Sequence, residues 1–79
     1  MRVLYFAQAR LATALSEEHL KTAAGLSEKD LWKELVRRHP KLATLQPSCR
    51  LARNGRFLLQ GESLGPEDEV AVLPPVSGG

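Results

Sequence analysis

Most residues that could carry chemistry are scattered along this chain, and the exception is its end. A single cysteine, Cys49, excludes an internal disulfide framework. His19 and His39 are far apart, so no ligand cluster has the spacing of a structural metal site. Glu67-Asp68-Glu69 crowd their carboxylates together, yet they read as a solvated loop leading into a strand. The run Pro74-Pro75-Val76-Ser77-Gly78-Gly79 is different in kind. Pro74 and Pro75 offer no amide donor and hold φ at about −65°, which stops a sheet ladder and favours a stiff, extended lead. Val76 supplies one apolar anchor, Ser77 is small, and Gly78 and Gly79 have no side chain. A terminus of that shape can pass through a narrow channel and bring a bare carboxylate against another backbone. Gly79 is therefore the candidate working end, with an ordinary frayed terminus as the alternative.

The body that must present this tail can be read from its periodicities. Leu26-Ser27-Glu28-Lys29-Asp30-Leu31 is a helix start. Ser27 is placed to accept from the Asp30 amide, Asp30 to reach back as a shortened capping box, and Leu26 and Leu31 to act as a hydrophobic staple. Leu31, Trp32, Leu35 and Val36 share one face at helical spacing, opposite Lys29, Lys33, Glu34, Arg37 and Arg38. Pro40 restricts His39, so one amphipathic helix is predicted over 28–39. Its basic end, Arg37-Arg38-His39, complements the macrodipole and so needs no nucleic acid to explain it.

Strands are predicted from Arg2 to Gln8, from Glu18 to Ala23, from Cys49 to Arg53, from Phe57 to Gln60 and from Glu69 to Leu73. Asn54-Gly55 supplies a tight hairpin turn, and 61–68 is a polar loop pinned by Leu64. The order is β-β-α-β-β-β, a domain over 1–73 followed by the tail at 74–79. Val3, Tyr5 and Ala7 alternate with Leu4 and Phe6, and Val70 and Val72 with Ala71 and Leu73, so the first and last strands are apolar on both faces. One helix covers only one face of a sheet. The second face is expected to meet another protein.

Composition bounds the rest. At 79 residues, with 43% apolar and 25% charged residues and a net charge of +2, the chain is one small domain with a weak basic bias. No apolar run approaches the roughly 20 residues of a membrane span, and Met1 to Phe6 is too short for a signal-peptide core. A cytoplasmic protein is expected, with no nucleic-acid or membrane partner.

Two segments carry a family resemblance: Val3-Leu4-Tyr5-Phe6-Ala7-Gln8-Ala9-Arg10, and Asp68-Glu69-Val70-Ala71-Val72-Leu73 with the terminal Pro-Pro-Val-Ser-Gly-Gly. The sequence resembles the small-subunit family of molybdopterin synthase, the MoaD-type sulfur carriers of the ubiquitin-like β-grasp superfamily. The resemblance implies an α+β fold, a mixed sheet of about five strands with one main helix packed on one face. It also implies a carrier cycle with no tightly bound cofactor and no metal. An adenylating enzyme similar to ubiquitin-activating enzymes would spend ATP on the Gly79 carboxylate, and a sulfur-donating protein would convert it to a thiocarboxylate. The large subunit of molybdopterin synthase would supply the catalytic groups. The same resemblance implies that Phe6, Phe57 and Leu73 dock partners and that Arg10 meets an acidic surface of the adenylating enzyme. A carrier for thiamine or cysteine synthesis, a ubiquitin-like modifier joined to lysines through Gly79, and a plain interaction domain remain alternatives.

Overall fold

The structure, a computed structural model, describes residues 1–75. Five strands form one sheet: β1 (Arg2–Tyr5), β2 (Glu17–His19), β3 (Arg50–Arg53), β4 (Arg56–Phe57) and β5 (Glu69–Leu73), in the order β2-β1-β5-β3-β4. β1 and β5 are parallel, with Arg2 opposite Glu69 and Tyr5 opposite Val72; every other pair is antiparallel. The β3–β4 hairpin turns on Asn54 and Gly55, whose φ values of 51° and 84° are those a two-residue hairpin turn requires.

Helix α2 (Glu28–Arg38) crosses one face of this sheet. Ser27 Oγ accepts from the Asp30 amide at 3.0 Å, as predicted. The reciprocal Asp30 bond is not formed among the described residues; aspartate is one methylene shorter than the glutamate of a full capping box. Leu31, Trp32 and Leu35 are buried against Val3, Tyr5, Val70, Val72 and Leu51 from the sheet. Two short 3-10 turns, Pro40–Thr44 and Gln46–Ser48, lead from α2 to β3 and bury Leu42. Leu64 is buried too, and its bridge to Leu26 pins the loop before β5.

Three expectations need correction. The first strand stops at Tyr5 rather than Gln8, and a second helix, α1 (Ala7–Thr13), stands between β1 and β2, where the expected order had none. Ala, Gln, Arg and Leu are all strong helix formers. The helix is fixed by burial of Ala9 and Thr13, with Thr13 Oγ1 donating to the Ala9 carbonyl at 3.0 Å. β2 ends at His19 rather than Ala23, because Leu20 turns into the core and the chain leaves the sheet. β4 is only Arg56–Phe57, so Leu58 to Gln60 lie outside the sheet.

Candidate functional site

Strand alternation decides which side chains face away from α2. Val70 and Val72 point into the core, which turns Glu69, Ala71 and Leu73 to the other face. The register then aligns Leu4, Ala71, Ala52 and Phe57 in one row across four strands. Leu73 lies one step further along, opposite Arg50, and Phe6 extends β1 beside it. Phe6 and Phe57 are 41% and 46% exposed, high values for rings of this size, while Leu4, Ala71 and Leu73 are half-buried. α1 packs beside the Pro40–Thr44 turn and the ends of β1 and β5, and leaves this face open.

Three of the positions singled out for docking, Phe6, Phe57 and Leu73, thus fall on one face. Phe6 and Leu73 sit at the end of the sheet where β5 runs out, with Phe57 one step back from them. Pro74 follows half-buried and Pro75 exposed, and neither is in the sheet. Arg10 is exposed on α1, one turn beyond Phe6. Val76, Ser77, Gly78 and Gly79 lie outside the described residues. Sequence reasoning missed Arg50, whose guanidinium carbon sits 3.8 Å from the Phe57 ring centroid. The signal was available: with Leu51 facing the core, period-two alternation turns Arg50 outward.

The other titratable groups are engaged elsewhere. Tyr5 donates its hydroxyl to Glu18 Oε1 at 2.9 Å, and His39 Nε2 lies 3.0 Å from Glu18 Oε2. The His39 and Tyr5 rings meet edge-on at 5.7 Å. Burial, then the bond to Glu18, pushes the Tyr5 phenol far above its ordinary value. This cluster ties the C-terminal end of α2 to β1 and β2 on the core side. It was invisible in the sequence because its members are 13 and 21 residues apart. Cys49 is half-buried just ahead of β3, not within the strand as expected, and burial raises its thiol pKa. A protonated thiol is a poor nucleophile. It lines an open groove of about 640 Å³ with Ser27, Trp32, Gln46, Arg50 and Glu62. No group of three or more metal-ligating side chains occurs among the described residues. Nor is any of their helices long and apolar enough to cross a membrane.

What the geometry offers is a sheet with one unclosed face whose apolar end lies where β5 runs into Pro74 and Pro75. The ThiS family profile matches residues 3–79. The chain belongs to that family. It is 35% identical over 82 residues to the molybdopterin synthase sulfur carrier subunit of Homo sapiens, covering 100% of this chain and 93% of that one. The corresponding subunit of Chlamydomonas reinhardtii is 33% identical over 81 residues, covering 100% and 98%. Among solved structures, small archaeal modifier protein 1 of Haloferax volcanii superposes with a TM-score of 0.84 at 26% identity, covering 99% and 97%. The ThiS-family chain has the ubiquitin-like β-grasp fold.

Proposed function

We propose that this chain is the sulfur-carrier small subunit of molybdopterin synthase, with the carboxylate of Gly79 as the reacting group. The observation that carries the reading is the coincidence of the tail root with the apolar end of the open sheet face. A carrier must insert its terminus into a partner's site while the body holds on outside. Ordering each tail residue costs about 1–2 kcal/mol of backbone entropy. Full burial of an exposed side chain of this size contributes roughly 1.5–3 kcal/mol, and because Phe6, Phe57 and Leu73 are already partly covered, burying the remainder offsets part of that ordering. The full-length relatives named as sulfur carrier subunits support the same assignment.

The chemistry follows from what a carboxylate lacks. It is a weak electrophile with no leaving group, so a partner enzyme first joins it to AMP from ATP. A persulfide sulfur from a donor protein then displaces AMP, and thiol cleavage of the resulting acyl disulfide leaves a thiocarboxylate on Gly79. In the large subunit this sulfur attacks cyclic pyranopterin monophosphate, and two such transfers build the dithiolene. The side chains here supply none of the acid–base groups; the tail end of the fold supplies position. The domain over 1–73 is the handle and 74–79 the working segment, acting in the cytoplasm.

Deleting Gly79 tests this. Cells carrying only the deletion variant should lose molybdenum-cofactor synthesis while the purified domain melts as the parent does; retained synthesis would sink the reading. The fold likeness to an archaeal modifier protein favours one further reading, conjugation of Gly79 to lysines. Mass analysis of the native protein separates the two. A carrier shows an oxygen-to-sulfur gain on the C-terminal peptide, whereas a modifier shows Gly79 in isopeptide linkage.

A further inference from the structure

The seven arginines of the chain divide into two groups by their partners. Arg2 lies between Glu17 and Glu69, Arg37 and Arg38 share Glu34, and Arg53 and Arg56 share Glu62. Arg10 and Arg50 have no carboxylate within ion-pair distance among the described residues, which include every aspartate and glutamate of the chain. These two flank the root of the tail. The strand order puts β1 on one side of β5 and β3 on the other. Arg10 lies just beyond the end of β1, and Arg50 opens β3 opposite Leu73.

Arg50 packs on a neighbour across the hairpin. Its guanidinium lies over the Phe57 ring at 3.8 Å, a cation–π contact with the face of the ring. The guanidinium carries five N–H donors in a planar fork that matches a carboxylate bidentately, and the ring contact occupies none of them in a hydrogen bond. Among the described residues the Arg50 side chain donates no hydrogen bond. A cation with no carboxylate partner among the described residues, set in an apolar patch, has a definite consequence when that patch is covered. A partner without an opposing charge strands the cation away from water, at a cost in affinity. A partner with a carboxylate there gains a short, poorly screened ion pair.

We propose that Arg50, seated on Phe57, is the polar anchor of the docking face: the protein that covers Phe6, Leu73 and Phe57 places an aspartate or glutamate carboxylate on its guanidinium edge. This rests on the reading of that face as the surface that docks the large subunit. The anchor discriminates between partners of similar shape, because the mismatched one is penalised and the matched one rewarded. The Gly79 carboxylate is the competing anion. Pro74 and Pro75 count against it, since a polyproline lead advances about 3.1 Å per residue and resists doubling back toward β3.

Calorimetry with the purified large subunit from the same organism tests the anchor, using the full chain and its Arg50→Gln, Arg50→Glu and Phe57→Glu variants. Thermal melts confirm that each variant is folded. Arg50→Glu should weaken binding roughly tenfold or more at low salt, and Arg50→Gln less. The gap between parent and Arg50→Gln should narrow as salt rises from about 0.05 to about 0.5 M. A charge reversal at the facing carboxylate of the large subunit should restore Arg50→Glu. If Phe57→Glu abolishes binding while Arg50→Glu binds like the parent, the docking face stands and the anchor falls. If neither variant changes affinity, the docking reading falls and takes the anchor with it. A chain ending in a C-terminal amide should leave the Arg50 Nε–H resonance of the isolated protein unmoved. A shift there would make the chain's own terminus the anion and overturn the proposal.

Discussion

At one end of the open sheet face Arg2 reaches Glu17 at 2.9 Å and Glu69 at 2.7 Å, crossing from β1 to both neighbouring strands. At the other end Arg50 lies over Phe57, beside Leu73 and Phe6, with no carboxylate partner among the described residues. The two ends share strands and solvent, yet the first closes its polar and charged groups on themselves and the second leaves both apolar surface and charge unanswered. Exposure alone does not separate them, since scattered apolar side chains are ordinary on any protein surface. What separates them is that unmatched groups of two kinds coincide where the tail begins.

The core side of the same sheet sets the scale for stability. Leu35 is fully buried between α2 and the strands. Leu35→Ala should therefore cost about 2–5 kcal/mol, by lost burial plus the cavity left behind. Against a total stability of roughly 5–15 kcal/mol that loss is severe. Urea titration followed by circular dichroism measures it. A loss below about 1 kcal/mol would show a core that collapses around the gap, and the contrast between closed and open faces would weaken.

Leu73→Ala asks the complementary question. Leu73 is only half-buried in the isolated chain, so its truncation should lower stability much less than Leu35→Ala does. Affinity for the large subunit should instead fall by roughly tenfold or more, as for an anchor at the centre of an interface. A variant that loses stability as heavily as Leu35→Ala would make Leu73 a core residue, and the tail end of the face would no longer be distinct.

How far these regions were legible in the sequence follows from the range of the forces that shape them. β5 was read to the residue, because Glu69 and Pro74 bracket an unbroken apolar run. α2 was read to within one residue, because Ser27 and Pro40 act locally through a cap and a missing donor. α1 was missed for the opposite reason. It is seven residues long, no side chain caps its start, and it ends on Ala14 at φ 61° where a glycine would have advertised the stop. Only its helix-forming composition marked it, against a strand pattern that ran in from Val3. The site divides in the same way. Phe6, Leu73 and the prolines stood out within their own segments, whereas the Arg50–Phe57 stack needed the hairpin register before it could be seen. The Tyr5–Glu18–His39 cluster needed the whole fold.

The smallest expected effect belongs to the charged end. The Arg2 guanidinium, by hydrogen bond and then by charge, holds the Glu17 carboxyl below its ordinary value of 4.5. A depressed carboxylate contributes stability that is present above its unfolded pKa and lost as the pH falls through the folded one. Both side chains are largely exposed, so the pair is screened by water and salt. Arg2→Gln should lower the melting temperature slightly at pH 7 and low salt. The difference from the parent should shrink in high salt and vanish once the pH is well below 4.5. Affinity for the large subunit should be unchanged, because this end already satisfies its own charges. A gap that widens in acid would mean that the Arg2–Glu17 pair is not its source. A loss of affinity comparable to that of Leu73→Ala would place the charged end inside the interface, and the division of the open face into a closed end and an unmatched end would fail.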